Sequence, residues 1–218
     1  MAIAILLISS SVPGNYQELW LFVQDIIPFG VCILFIYWIW RQQCVFFLRY
    51  GLIDDRISFL NLALLFFVLI YVYPLKFLMT WLLKYLFALA SGSLGTSMDQ
   101  LTQMIPMEKM PHLMIIYGMG FICIWLCLYF MYKHVLKSRK ELELSEIEVF
   151  ETRFTMKEKG NLVMVGGISI ALSVISLMLN FPVGAALAGW VYNLIWILVI
   201  IRVKKRKKQL QLILEDHS

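Results

Sequence analysis

The longest apolar run of the chain, residues 57–90, gives the first prediction of its structure. Polar residues introduce and interrupt this run, namely Asp54, Asp55 and Arg56 before it and Asn61, Pro74, Lys76 and Lys84 within it. A helix of this length would reach roughly 50 Å, whereas the apolar core of a bilayer is about 30 Å thick. We therefore predict one membrane span over residues 57–73, a bend at Pro74 and an interfacial continuation whose two lysines reach the head groups.

The other apolar segments predict further membrane helices. Residues 19–40, 113–132, 161–181 and 183–201 are each long enough to cross a bilayer. Residues 2–12 would form a helix of only about 17 Å, which predicts half a span. A signal peptide is the alternative, although no basic segment precedes it. The predicted fold class is all-α, a multi-pass transmembrane helix bundle with five full spans and a partial N-terminal span.

The polar segments predict how these spans are connected. Asp54 and Asp55 are candidate N-caps of the third helix. Residues 91–112 contain Gly, Ser and Pro and indicate an external loop. Residues 180–182 indicate the turn of a hairpin formed by the last two spans.

Residues 137–159 hold six basic and six acidic side chains. This balance predicts a solvated cytoplasmic helix with ion pairs four residues apart, such as Lys137 with Glu141 and Arg139 with Glu143. We assign residues 1–203, including this connecting helix, to one transmembrane domain. Residues 204–218 then form a basic cytoplasmic tail.

Composition and charge support a membrane protein and set its orientation. The 218 residues are 61% hydrophobic and 15% charged, with a mean hydropathy of +0.79. The net charge of +5 comes from basic residues at span ends, so we expect no nucleic-acid partner. With one crossing by residues 57–90, nearly all basic residues fall on the cytoplasmic side. Two crossings would place the seven basic residues of 133–159 outside. We predict an inner-membrane, multi-pass protein with both termini cytoplasmic.

Candidate chemistry is sparse in the predicted spans. The four cysteines lie in or at the end of apolar runs, and the three histidines lie at span edges or at the terminus. This distribution predicts no metal site, no cofactor and no catalytic site, so we do not expect an enzyme. The spans carry few ionisable groups, which leaves a passive pore or a structural or regulatory membrane protein.

Three polar features permit two interpretations each. Asp25 is either a carboxylate in the first turn of a helix or part of an acidic ring at an outer pore mouth. Asn61 either bonds a neighbouring helix or takes part in gating or ion passage. The small residues of the last two spans indicate either tight packing or a polar pore wall; they are Gly166, Gly167, Ser169, Ser173, Ser176, Gly184, Ala185, Ala188 and Gly189.

The order of several residues resembles one family. Trp38 precedes Arg41-Gln42, then come Phe47, Asp55-Arg56, Leu60-Asn61-Leu62 and an apolar run to Pro74. This pattern resembles the second and third spans of the transmembrane-protein-175 type of potassium channel. Residues 2–7, followed by Val12-Pro13, look like the second half of that family's first span, and the similarity extends over nearly the whole chain.

The resemblance implies a cation channel of six spans per subunit, tetrameric in bacteria, with a pore lined by the first helix of each subunit. By position, Ile3 would be the apolar constriction and Leu7 a further apolar ring. Asn61 matches a recurrent asparagine and would join Arg41 and Gln42 in a gating or interhelical polar network. The implied partners are potassium ions, the lipid bilayer and further copies of the chain.

Three departures from that family bear on the first helices. The family's Phe-Ser-Asp signature would lie just before Met1, Leu6 replaces a common threonine, and Arg41 and Gln42 replace histidines. Either the start lies upstream, which we favour, or this is a diverged member. The predicted function is a potassium-permeable channel. The alternative is a non-conducting multi-pass membrane protein that binds a partner or lipid through residues 137–159 and the basic tail.

Overall fold

The structure is a computed structural model and describes residues 14–17, 19, 26–52, 54–92, 99, 101–179 and 183–195. Every regular element in this part of the chain is helical. The α helices are α1 (Ile26–Tyr50), α2 (Asp55–Ala90), α3 (Met110–Lys137), α4 (Glu146–Met178) and α5 (Val183–Trp190). Short 3₁₀ helices, Met107–Lys109 and Val191–Asn193, precede α3 and follow α5.

Four of the described helices, α1 to α4, are long and apolar enough to cross a membrane. The span that contains α3 also includes the 3₁₀ turn before it. The predicted all-α, membrane-spanning class is therefore confirmed. The predicted count of five full spans and a partial one stays a prediction, because residues 1–13 and 196–218 lie outside the described part. The described residues of Met1–Leu48 and Val68–Pro106 form one compact unit, and those of Arg49–Phe67 and Met107–Ser218 form a second.

The connection from α1 to α2 is shorter than predicted. The sequence placed the end of this span at Trp40, but α1 continues to Tyr50. Gly51 then adopts φ = +57°, a left-handed conformation in which glycine commonly ends helices. Asp54 caps the next helix, since its Oδ1 accepts a hydrogen bond of 2.7 Å from the Ile57 N–H. The predicted cap at Asp54 is thus confirmed.

Helix α2 passes through Pro74 without ending there. It is one helix of 36 residues, so the predicted continuation after Pro74 belongs to the same helix, and the bend predicted at Pro74 stays a prediction. Proline removes one backbone donor, but a single missing bond does not end a helix whose other residues form helices well and pack on apolar neighbours. At about 54 Å, α2 is longer than the apolar core of a bilayer.

In the first unit, the predicted external loop contains ordered structure. Residues 101–104 are helical, and Leu101 and Ile105 are buried. The indole N–H of Trp81 donates a hydrogen bond of 3.3 Å to the Leu101 carbonyl. The Phe35 and Tyr71 rings pack 5.5 Å apart between α1 and α2. Leu101, in the predicted loop segment, is therefore buried and bonded to α2.

The second unit is built on close packing between α3 and α4. A Cβ atom at Gly118 would lie 2.5 Å from Cγ1 of Ile170, and one at Gly166 would lie 2.7 Å from Cγ1 of Ile122. Tyr117, next to Gly118, is buried, as is Trp125, whose ring packs 5.9 Å from that of Phe121 near Gly166. The glycines therefore set how near the two helices approach.

Helices α4 and α5 also pack through small residues. The Ser169 hydroxyl donates to the Ala188 carbonyl over 3.0 Å, and a Cβ at Gly184 would lie 2.9 Å from that of Ser176. Tight packing is therefore the role of Ser169, Ser176, Gly184 and Ala188 in the described part of the hairpin. The predicted turn at residues 180–182 lies outside the described residues.

The predicted cytoplasmic helix over residues 137–159 was wrong in its bounds. Residues 138–143 form a bend and turns, with Glu143 at φ = +47°, and α4 begins at Glu146 and runs to Met178. A capping box starts α4, because Ser145 and Glu148 bond each other's backbone N–H. The expected helical pairs of Lys137 with Glu141 and Arg139 with Glu143 were wrong, since Arg139, Glu141 and Glu143 lie in the turn segment and not on a helix.

Candidate functional site

Helix ends of the second unit meet in a polar cluster. It is formed by the end of α1, the residue before α2, the end of α3 and the first half of α4. The paired side chains are Arg49, Tyr50, Asp54, His134, Glu151, Thr152, Glu158 and Lys159. Groups that come together at the end of an otherwise apolar bundle hold its helices in register.

Two contacts join the end of α1 to α4. Arg49 Nη1 lies 3.2 Å from Glu151 Oε2 in an ion pair. The hydroxyls of Tyr50 and Thr152 are 2.7 Å apart, and both residues are buried. Thr152 donates to the Glu148 carbonyl over 2.6 Å, so Tyr50 is the donor to Thr152. Both contacts use adjacent residues of each helix, so they fix the rotation of one helix against the other.

A third contact joins the turn before α2 to the end of α3. His134 Nε2 lies 2.5 Å from Asp54 Oδ2. The ionised carboxylate can only accept, so Nε2 carries the proton. Hydrogen bonds from the Ile57 N–H and from His134 hold the pKa of Asp54 below its ordinary value. One carboxylate therefore caps α2 and binds α3 at the same time.

Replacing Asp54 by alanine is expected to lower the free energy of unfolding by about 0.5–2 kcal/mol at neutral pH, because the cap of α2 is lost. Asp54→Asn keeps an oxygen for the Ile57 N–H and should cost less. Because the pKa of Asp54 is depressed on folding, its stabilisation is present above the ordinary carboxyl pKa and is lost as the pH falls through the lower, folded value. Thermal unfolding of both variants in detergent, at neutral and acidic pH, measures the loss of stability and its dependence on pH. Equal costs for alanine and asparagine would contradict a capping role.

The cluster also holds a buried cation. Lys159 has 1% of its side chain exposed, and its Nζ lies 3.1 Å from Glu158 Oε1 and 5.2 Å from the centre of the Trp125 ring. The carboxylate and the ring face are both partners that a desolvated ammonium requires. The sequence gives no signal for the burial of Lys159, because the balanced charges of residues 137–159 predict a solvated helix.

The described residues do not offer a metal centre. No group of three or more His, Cys, Asp or Glu side chains among them could hold a metal ion. All four cysteines are described and free; Cys32 and Cys127 are buried, and Cys44 and Cys123 are partly exposed. What the described cluster offers is structural, namely ion pairs and hydrogen bonds between helix ends.

Comparison with known proteins places the chain in a family. No family model matches it. A protein of Marivirga tractuosa described as a potassium channel is 32% identical over 216 residues, which cover 99% of this chain and 86% of that protein. A crystal structure of a variant of the potassium channel MtTMEM175, bound to a nanobody fusion protein, matches with a TM-score of 0.79 and 33% identity over 95% of this chain and 88% of that one.

The chain belongs to the TMEM175-type family of potassium channels. The resemblance found in the sequence is thereby confirmed, and it extends over nearly the whole chain as expected.

The predicted site residues of this TMEM175-type chain are placed as follows. Ile3 and Leu7, predicted to form the pore constriction, lie outside the described residues, as does Asp25. Arg41 and Gln42 lie on α1 in the first unit, where Arg41 is exposed and Gln42 is half-buried. Asn61 lies on α2 in the second unit and is half-buried. The polar network proposed for these three residues stays a prediction.

The polar cluster of the second unit was largely missed from sequence. A signal existed for one of its members, because Asp54 was recognised as a cap. Next to the cluster, Ser145-x-x-Glu148 is the pattern of a capping box. His134 carried no such signal, because its partner Asp54 is distant along the chain. Lys159 carried none, because its role depends on its burial.

Proposed function

We propose that this chain is the subunit of a potassium-permeable cation channel that conducts passively. The observation that carries the proposal is the match to the two potassium channels, at 32% and 33% identity and over at least 86% of either partner's length. The pore would be lined by the first helix of each subunit, in a homotetramer. Charge distribution supports an inner-membrane location with both termini cytoplasmic.

The composition of the described helices favours passive conduction. Each of the four membrane-crossing helices contains an 18-residue window with at most two charged residues. Transporters that couple to protons usually carry ionisable side chains in such windows, because a proton path needs groups that titrate. A channel needs only a pore and a barrier, and it is therefore compatible with these helices.

The barrier is proposed to be apolar. Ile3 and Leu7 are four residues apart, so on a helix they face the same side. Repeated in several subunits around an axis, they would form two apolar rings that exclude water and thus block ions when narrow. Arg41, Gln42 and Asn61 are proposed to act either in gating or in polar contacts between helices.

Potassium flux from liposomes tests this function. Purified protein is reconstituted as the native chain, as Ile3→Asn and as a matched control, Ile5→Asn. Position 5 is about 200° around a helix from position 3, so its change should not alter the pore axis. We expect flux in the native protein, a severalfold increase for Ile3→Asn through wetting of the ring, and no increase for Ile5→Asn.

Two outcomes would count against the proposal. Equal increases for both asparagine variants would mean a general leak rather than a constriction at Ile3. If none of the three proteins gives potassium flux, although size-exclusion chromatography shows them to be folded oligomers, the non-conducting alternative would be favoured. In that case the protein would act by binding a partner or lipid.

A further inference from the structure

An amphipathic groove lies between the start of α2 and the end of α3 in the second unit. Its volume is about 750 Å³, within the range of ligand sites. It is lined by residues of the first two turns of α2 and the last two or three turns of α3, namely Asp55, Arg56, Phe59, Leu60, Phe130, Lys133, His134, Leu136 and Lys137. The groove is therefore bounded by two membrane helices at the end where their charged residues begin.

The charges of the groove are mostly positive. Arg56, Lys133 and Lys137 are exposed cations, and Asp55 is the one carboxylate in the lining. His134 also faces the groove, but its Nε2 is bonded to Asp54 outside the lining. The Lys133 ammonium lies 5.8 Å from the centre of the Phe130 ring, which keeps it near the wall. The surplus of positive charge fits an anionic group.

Apolar side chains lie directly beside these cations. Phe59 is 69% exposed and Phe130 is 40% exposed. Leu60 and Leu136 also line the groove and are half-buried. Cations at a helix end, next to accessible aromatic and aliphatic surface, match the two halves of a phospholipid: a charged head group and its acyl chains.

We propose that this groove binds one anionic phospholipid, with its phosphate among Arg56, Lys133 and Lys137 and its chains along Phe59 and Phe130. The proposal does not depend on conduction, because it concerns lipid binding by the second unit alone. A free inorganic anion would use the cations but would gain nothing from the two rings. A phospholipid with a neutral head group would use the rings but would leave the surplus positive charge unbalanced.

The chain supplies a matched control surface. A second groove, of about 480 Å³, also holds three cations, Arg139, Lys140 and Arg153. Two carboxylates, those of Glu143 and Glu146, line it as well. Its positive charge is therefore more nearly balanced, and it should attract an anionic lipid much less.

Native mass spectrometry of the purified full-length protein, titrated with phosphatidylglycerol, tests the proposal. The groove variant is Arg56→Gln with Lys133→Gln and Lys137→Gln. The control variant is Arg139→Gln with Lys140→Gln and Arg153→Gln. At roughly fivefold in affinity per cation, the groove variant should bind phosphatidylglycerol on the order of a hundredfold more weakly, and the control variant should bind it like the native chain.

Further lipids and ions separate the possible ligands. Phosphatidylcholine should bind weakly to all three proteins, and millimolar inorganic phosphate should not displace phosphatidylglycerol. Equal weakening in both triple variants, undiminished binding by the groove variant, or displacement by phosphate would each overturn the proposal. If the groove variant fails to form the native oligomer, Lys137→Gln alone decides the question, with an expected weakening of about fivefold and none in Lys140→Gln.

Discussion

Alanine at Gly118 or Gly166 is expected to lower the free energy of unfolding by about 1–3 kcal/mol each, because at both positions the facing helix leaves no room for a Cβ atom. The new methyl group would lie 2.5 Å from Ile170 Cγ1 in one case and 2.7 Å from Ile122 Cγ1 in the other. Both atoms belong to β-branched, half-buried side chains, whose few allowed χ1 rotamers leave them little room to move away.

Gly167 is the matched control for this prediction. It is adjacent to Gly166 on α4, is exposed, and has no atom within 4 Å of the position of an added Cβ. Because alanine forms helices better than glycine, Gly167→Ala should leave stability unchanged or raise it by up to about 1 kcal/mol. Thermal unfolding of each variant in detergent micelles measures the differences.

A second substitution tests the cause of the loss. Ile170→Ala removes the atoms that a methyl group at position 118 would meet. The double variant Gly118→Ala with Ile170→Ala should therefore be more stable than the sum of the two single costs implies. If the costs of Gly118→Ala and Ile170→Ala simply add in the double variant, close packing is not the cause of the destabilisation. The same follows if alanine at Gly167 costs as much stability as alanine at Gly166.

These glycines show what the sequence could and could not predict about packing. The small residues of the last two spans correctly predicted a close approach of helices. Spacing along the chain identifies the face of a helix but not its partner, and so the contact of Gly166 with α3 was not foreseen. Gly118 was not singled out either, because a single glycine in an apolar run has no pattern around it.

The same limit applies to helix bounds and to the polar cluster. The membrane class, the cap at Asp54 and the family followed from local patterns, since apolar length, capping residues and motif order are all read along the chain. The end of α1 at Tyr50 and the start of α4 at Glu146 did not follow, because charged residues at a span end do not end a helix. His134 and Lys159 acquire their roles through tertiary contacts, which spacing does not reveal.

Replacing Glu158 by glutamine is expected to destabilise the protein because it leaves the Lys159 ammonium buried without its carboxylate. Lys159 has 1% of its side chain exposed and lies 3.1 Å from Glu158 Oε1. Breaking a fully buried ion pair typically costs 3–5 kcal/mol. Since 33% of the Glu158 side chain is exposed, solvent screens the pair, and we expect a cost of about 1–3 kcal/mol.

The cost should disappear when the cation is removed as well. Lys159→Met keeps an unbranched side chain only one atom shorter and needs no carboxylate, so adding Glu158→Gln to it should change stability little. Lys157→Met, which removes an exposed cation on the same helix, serves as the control and should have an effect within about 0.5 kcal/mol. Thermal unfolding followed by tryptophan fluorescence suits this test, because Trp125 lies beside the Lys159 ammonium. If Glu158→Gln costs as much in the Lys159→Met background as in the native chain, the cost does not come from this ion pair. If Lys159→Met and Lys157→Met change the free energy of unfolding equally, burial of Lys159 has no energetic consequence.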